Sequence, residues 1–269
     1  MMTFKEKVLE VVKKIKKGKV KTYKEVAKLV GRSKAYRVVA NILAKNRDFR
    51  IPCHRVVKND YRVGGYYGSF KNSWLKVALL LKEGVIIVMP TDTIYGICGT
   101  ALKKDVVEKI YKLRKRSLQK PMIILISSLE ELKIFGIKPN KKELKILKKL
   151  WPGEISVILK IKDRKKITKF AYLHRGSKTL AFRLPKPKWL IDILKISGPL
   201  VAPSANWEGY PPASKLSEAK KYFGKKVVYW IEKRSDKKPS TLIKLEDKKI
   251  EILRKGTSFR KVKTLFSNK

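Results

Sequence analysis

Ile51-Pro52-Cys53-His54-Arg55-Val56 sets a thiol between a proline and an imidazole, directly after an amphipathic helical stretch. The thiolate is the reactive form of cysteine, and a neighbouring His and Arg both favour it. A lone cysteine is otherwise a small buried hydrophobe, so the reading turns on what surrounds the motif. Upstream, Phe4, Val8, Leu9, Val11, Val12 and Ile15 recur at helical spacing and predict a helix with one buried face, ended at Gly18. Thr22-Tyr23-Lys24-Glu25 has the form of a capping box and starts a second short helix running through Val30 to Gly31. Ser33 is placed to cap a third helix over residues 34–44, carrying Arg37, Val38, Val39, Ile42 and Leu43. Two short helices joined by a tight Gly-containing turn read as a helix-turn-helix. Residues 51–57 and 62–67 read as a hairpin around Lys58-Asn59-Asp60-Tyr61. The candidate nucleophile therefore follows directly on a nucleic-acid-binding motif.

The chain has 269 residues, enough for two domains, and at 43% hydrophobic it can build cores. Lys and Arg number 67 against 22 acids, a formal charge of +45 that points to polyanions, nucleic acid first. The excess is spread along the chain. Residues 1–80 hold 21 basic and 5 acidic side chains, a net +16, which leaves +29 for the remainder. Two cysteines, Cys53 and Cys98, make neither a disulfide framework nor a zinc cluster. The N-terminus is a Lys/Glu helix without the apolar core of a secretory signal. The longest apolar runs, residues 77–81 and 85–89, are too short to cross a bilayer. The expected setting is soluble, reducing and cytoplasmic, with no membrane partner.

Residues 73–82 are apolar at helical spacing and run without a linker into 85–89, so one helix is expected to close a first domain and open a second. Beyond it, residues 85–89, 122–126, 155–161, 179–183, 199–202, 227–231, 241–245 and 250–253 read as strands. Residues 105–114, 128–135, 141–150, 188–196 and 214–223 read as helices, with a capping box from Ser128 to Glu131. That alternation predicts a twisted α/β domain. It contains neither a P-loop nor a dinucleotide-binding glycine fingerprint. It does contain dispersed motifs: Pro90-Thr91-Asp92-Thr93-Ile94-Tyr95-Gly96, Arg114-Lys115-Arg116-Ser117 with Lys120-Pro121, Trp151-Pro152-Gly153, and Phe182-Arg183-Leu184-Pro185. Ala202-Pro203-Ser204-Ala205-Asn206, Pro239-Ser240-Thr241 and Leu253-Arg254-Lys255-Gly256 complete them. Arginines and hydroxyl side chains at strand ends suit an anion site, and several guanidiniums can neutralise a polyphosphate without a P-loop. Cys98 is expected in the core and His174 on the surface.

Residues 4–68 resemble the catalytic domain of 6-O-methylguanine-DNA methyltransferases, without that family's usual N-terminal domain. The resemblance rests on Thr22-Tyr23, the segment from Ala35 to Arg37, Asn46, Pro52-Cys53-His54-Arg55-Val56 and Gly64-Gly65-Tyr66 with Gly68. It implies that the target guanine is flipped from duplex DNA, with Thr22, Arg37 and Arg55 on the DNA and Arg37 filling the gap. Cys53 would keep the alkyl group as a thioether, His54 would take its proton through a water, Tyr23 would donate to the leaving guanine, and Asn46 would order the site. The family's last active-site member is a glutamate before a glycine; Glu83-Gly84 fits if a few residues are inserted after Gly68, whereas an ungapped reading selects Leu80. Val38, Asn41 and Tyr67 stand where the family has smaller residues.

Residues 76–257 resemble the YrdC-like threonylcarbamoyl-AMP synthases. The implied reaction condenses threonine, bicarbonate and ATP into threonylcarbamoyl-adenylate and pyrophosphate for tRNA modification. By resemblance Arg114, Arg116, Ser204 and Asn206 would bind ATP, Arg183, Ser240 and Arg254 would complete the phosphate contacts, and Thr91, Thr93 and Tyr95 would line the small-substrate end. ATP would enter as a substrate with Mg, the alkyl transfer would need no cofactor, and no metal site is expected in the protein. Arg114 replaces a signature lysine, and Trp207-Glu208 replaces an apolar-Ser pair.

The combined expectation is an α/β chain with two parts. A winged helix-turn-helix-like alkyltransferase domain spans residues 1–75, and a YrdC-like domain spans residues 76–269. Its partners would be duplex DNA with alkylated guanine, the three small substrates, and proteins that finish the tRNA modification. The rival reading joins a non-catalytic alkylation-damage sensor to a tRNA or double-stranded RNA binding module; retention of Cys53 argues against it. A third reading keeps the synthase active and uses the helix-turn-helix to hold tRNA.

Overall fold

A computed structural model describes residues 1–231, 237–246 and 249–266. The chain opens with α1 (Phe4–Lys13), whose N-cap Thr3 and Glu6 form a capping box. β1 (Lys21–Thr22) leads into α2 (Tyr23–Leu29), and α3 (Tyr36–Lys45) follows the turn. The Thr22–Glu25 capping box is present in full, so two amides at the α2 start are satisfied locally. Ser33 is not a cap; α3 starts two residues later, from Ala35, with no side-chain cap bond. Val8, Val12, Val26, Ala27, Val39 and Leu43 close a small core that also takes in Cys53, Val56 and Tyr66.

The expected hairpin after Cys53 does not form. Cys53–Arg55 is a single 3-10 turn, and β2 (Val56–Val57) pairs in parallel with β1 instead. A tight turn from Lys58 to Arg62 then carries the chain to the far domain, where Val63 N–H donates to the Tyr229 carbonyl at 2.7 Å and Tyr229 N–H to Tyr61 at 2.9 Å. The second arm prefers the open edge of a large sheet to a return along β2.

α4 (Ser73–Glu83) belongs to both cores. Leu75 and Leu79 pack on the N-terminal cluster. Val77, Ala78, Leu80 and Leu81 meet Leu190, Ile193 and Leu194 of a later helix. Trp230 Nε1 also donates to Ser73 Oγ at 3.1 Å, across the same junction. Gly84 ends α4 at φ +100°, a left-handed cap that glycine adopts without steric cost.

The rest is one mixed sheet flanked by helices. In chain order it comprises β3 (Ile87–Met89), β4 (Gly96–Thr100), α5 (Lys104–Arg114), β5 (Ile123–Leu125), α6 (Lys141–Leu150), β6 (Ile155–Lys160), α7 (Arg164–Lys169), α8 (Ala171–His174), β7 (Thr179–Arg183) and α9 (Lys188–Ser197). β8 (Leu200–Val201), α10 (Leu216–Phe223), β9 (Val228–Tyr229), β10 (Thr241–Glu246), β11 (Lys249–Arg254) and α11 (Phe259–Phe266) complete it. Among the described residues nine strands lie in the order β11-β10-β6-β7-β5-β8-β4-β3-β9. β4 escaped the sequence reading because two glycines dilute its strand signal. Its Gly99 is required by packing: a Cβ there would sit 2.7 Å from Val106 of α5.

The segment 129–135 is a 3-10 helix, and Ser128 makes no cap bond; Glu131 accepts from Ser127 N–H instead, at 2.6 Å. His174 is buried, not on the surface, with Nε2 at 2.9 Å from the Ile167 carbonyl. Cys98 lies wholly inside. Among the described residues no helix is long and apolar enough to cross a membrane.

Candidate active sites

The first site gathers around Cys53, which is 6% exposed. Asn46, the C-cap of α3, turns its Nδ2 toward Cys53 Sγ at 3.4 Å and toward the Asp48 carbonyl at 3.0 Å. Glu83 reaches back from the end of α4, its Oε1 3.0 Å from His54 Nε2. Between Gly68 and α4 the chain makes the 3-10 turn Phe70–Asn72. The ungapped candidate, Leu80, is fully buried in the apolar core. Burial pushes the Glu83 carboxyl up, but bonds from His54 and Arg55 outweigh it and hold the group at about 2.

Arg55 corrects an expectation. Its guanidinium points inward, with Nε and Nη2 on Glu83 at 2.8 and 2.6 Å and Nη1 on the Ile15 carbonyl, so it is 8% exposed and unavailable to DNA. Thr22 is likewise 5% exposed, its hydroxyl spent on capping α2. Of the three residues assigned to DNA, only Arg37 is exposed, on α3 beside Val38 and Asn41.

Lys76 is the residue that sequence reasoning missed. It is 1% exposed, donates to the Val56 carbonyl, and lies 5.8 Å from the Tyr23 ring centre. Burial lowers its ammonium to about 7, while Cys53 pulls it back up. Burial also raises the Cys53 thiol, against Asn46 and Lys76, which lower it. Tyr23 is raised to about 12, first by burial and then by Cys53. A lysine amid Trp74, Leu75, Val77 and Ala78 was the available signal.

The second site is a cavity of about 500 Å³ lined by Thr91, Thr93, Arg114, Arg116, Lys120, Thr179, Arg183, Ser204, Ser240 and Arg254 among others. Arg114 donates from Nη2 to Ser204 Oγ and Asn206 Oδ1, both at 3.0 Å, and from Nε to the Asn206 carbonyl at 3.1 Å. Burial, then Arg116, lowers its guanidinium to about 10. Arg254 bonds the Ser240 hydroxyl at 3.1 Å; burial, then Arg183 and Arg116, lowers it too, which marks the convergence of these cations. Arg183 pairs with buried Asp92 at 2.8 Å.

Two assignments change. Tyr95 is fully buried behind the cavity, its hydroxyl 3.1 Å from the Ile231 carbonyl. Asn206 is not on the lining; it orients Arg114 and ties down its own loop through the Trp207 and Tyr210 carbonyls. The Trp207-Glu208 pair fastens the rim: Glu208 accepts from Ser117 N–H at 2.7 Å and Lys120 Nζ at 2.8 Å, and Lys115 Nζ lies 3.8 Å over the Trp207 ring. Among the described residues the lining carries no carboxylate, and there is no cluster of three metal-ligating side chains. That described lining offers a resident Mg ion no carboxylate ligand.

Comparison with known proteins matches each part separately. The Sua5/YciO/YrdC family model, described as Telomere recombination, covers residues 79–256. The model for the 6-O-methylguanine DNA methyltransferase, DNA binding domain, covers residues 3–85, so the two overlap on α4. A putative threonylcarbamoyl-AMP synthase of Methanocaldococcus jannaschii is 33% identical over 188 residues, 67% of this chain and 86% of its own. The threonylcarbamoyl-AMP synthase of Bacillus subtilis is 32% identical over 142 residues, 52% of this chain but only 40% of its own length. Pyrococcus abyssi Sua5, solved in complex with L-threonine, superposes with a TM-score of 0.62 at 25% identity, over 72% of this chain and 57% of that one.

Proposed function

Since residues 79–256 make this chain a member of the Sua5/YciO/YrdC family, we propose that its arginine-lined cavity forms threonylcarbamoyl-adenylate from threonine, bicarbonate and ATP. The observation that carries the reading is the convergence of Arg114, Arg116, Arg183, Arg254 and Lys120 on one cavity with no carboxylate among its described lining residues. Arg114 Nη1 and Arg183 Nε are buried without a hydrogen-bond partner among the described residues, and a phosphate oxygen would satisfy such donors. In the reaction the threonine amine bonds to the bicarbonate carbon as a C–O bond breaks and water leaves, giving a carbamate. A carbamate oxygen then bonds to the α-phosphorus as the bond to the bridging oxygen breaks, and pyrophosphate leaves with the electron pair. Fixed guanidiniums stabilise that growing charge. Threonine fits the end marked by Thr91 and Thr93. Mg would arrive with the nucleotide. Mass detection of the adenylate after incubation with all three substrates tests this; formation without threonine, or none in wild type, would sink it.

Residues 1–75, completed by α4, form the alkyl-acceptor unit in this reading, and residues 76–269 the adenylate-forming unit. Cys53 attacks the O-alkyl carbon of 6-O-alkylguanine in DNA. Its proton passes to His54, whose imidazolium Glu83 stabilises, and Lys76 favours the thiolate. An S–C bond forms, the C–O bond breaks with its electron pair going to the guanine, and Tyr23 donates a proton to the departing base. Arg37, exposed on α3, fills the place of the extruded nucleotide. The Glu83–His54 contact supports this half most directly. Incubation with duplex DNA containing 6-O-methylguanine should add one methyl to the peptide holding Cys53. Tight binding with unchanged mass would instead mark a sensor.

A further inference from the structure

α5 ends at Arg114, and the chain leaves it through Lys115, held at φ +50° in the left-handed region. A residue with a Cβ stays there only where its surroundings hold it. The loop that follows brings Arg116, Gln119 and Lys120 to the wall of the arginine-lined cavity. Its internal bonds are long. Arg116 donates to the Lys120 and Pro121 carbonyls at 3.1 and 3.2 Å, Lys120 N–H reaches the Ser117 carbonyl at 3.3 Å, and Gln119 N–H reaches the Ser117 hydroxyl at 3.4 Å.

The short contacts come from another segment, and from one residue of it. Glu208 N–H donates to the Arg114 carbonyl at 2.8 Å and so caps the end of α5. Its carboxylate accepts from Ser117 N–H at 2.7 Å through one oxygen and from Lys120 Nζ at 2.8 Å through the other. Those two donors, Lys120 first, hold the carboxyl below the usual range, so it is ionised at neutral pH. The neighbouring Trp207 carries Lys115 Nζ 3.8 Å over its ring and packs edge-on against Tyr210 and Tyr222 at 5.7 and 5.4 Å. Asn206 Nδ2 ties down the Trp207 carbonyl at 2.8 Å. The anchor is thus fixed from behind, and the loop it holds faces the cavity.

Glu208 is not among the described lining residues, so it reaches a bound nucleotide only through that loop. An ammonium has three donors, and the one spent on Glu208 leaves two for phosphate oxygens. On the reading of this cavity as an adenylate-forming site, on which this rests, we propose that Glu208 is a positioning residue that sets Arg116 and Lys120 in advance where the polyphosphate of ATP meets them. Without it, binding ATP must also order the loop, and that ordering lowers the affinity. The bond changes of the reaction stay the same.

The test follows adenylate formation by the full chain, by mass, with ATP and threonine varied in turn while the other substrates saturate. Glu208→Ala should raise the KM for ATP about tenfold, the scale of one charge-assisted hydrogen bond lost at a partly exposed site. The KM for threonine should stay within about twofold of wild type, because the loop does not touch the threonine end. Glu208→Gln keeps an oxygen for Ser117 N–H but loses the charge facing Lys120, and should fall between the two. A lowered KM for ATP in Glu208→Ala would mean that the carboxylate competes with phosphate for Lys120, and overturns the proposal. An unchanged KM overturns it too. So does a rise in both KM values with a fall in melting temperature, the mark of a whole site losing its shape. If wild type forms no adenylate, the reading of the cavity falls, and the positioning role with it.

Discussion

Glu83→Gln removes one negative charge and almost no volume, at the point where α4 reaches the first site. The carboxylate accepts from His54 Nε2 at 3.0 Å and from Arg55 at 2.6 and 2.8 Å. Removing one partner of a fully buried ion pair costs about 3–5 kcal/mol. Glu83 keeps 14% of its side-chain exposure, and one amide oxygen remains to accept, so the loss expected is about 2 kcal/mol. Its pH signature follows from the carboxyl, lowered from 4.5 to about 2. That contribution is complete above pH 4.5 and fades as pH falls toward 2, so wild type and variant should converge in stability in acid. The rate effect is larger. His54 loses the group that orients it and balances its positive charge, and general-base assistance of this kind is worth about 10²–10⁴-fold. Urea unfolding at several pH values gives the first quantity, and quenched transfer from methylated duplex DNA gives the second. A variant that transfers methyl at the wild-type rate, while destabilised as expected, would refute the role of Glu83 in the chemistry.

Further predictions concern the buried charges and the shared helix. Lys76→Met should leave the melting temperature near pH 7 unchanged or raised, because burying this ammonium is costly, yet slow alkyl transfer about tenfold through a less acidic thiol; a thiol titration by absorbance checks the cause. Asp92→Asn leaves Arg183 buried without its counter-charge and should cost about 3–5 kcal/mol in denaturant unfolding. Leu81→Ala should cost about 2–5 kcal/mol and lower a single calorimetric transition for the whole chain, since α4 packs into both cores. Two transitions, only one of them shifted, would show the cores to be independent.

Much of the fold was legible because it is local. The Thr22–Glu25 cap, the helix over 141–150 and the strand over 179–183 are dictated by residues within a turn or two of each other. The motifs marking the second site were legible as well, though not which of their members face the cavity. Tyr95 and Asn206 sit one layer behind it, and sequence order carries no sign of depth. What failed was non-local. The partner of residues 61–63 is Tyr229, more than 160 positions away, and no property of the Lys58–Tyr61 turn announces it. Arg55 reads as a surface cation until Glu83 and the Ile15 carbonyl are brought to it. Glu83 itself was separated from Leu80 only by its contacts with His54 and Arg55, which the folded chain supplies.

If two independent chemistries share this chain, Cys53→Ala separates them. One preparation of the variant would be assayed for methyl uptake from duplex DNA and for adenylate formation from threonine, bicarbonate and ATP. Abolished uptake with adenylate formation at the wild-type rate is the expected result. Loss of both, or methyl uptake that persists without the thiol, would contradict it.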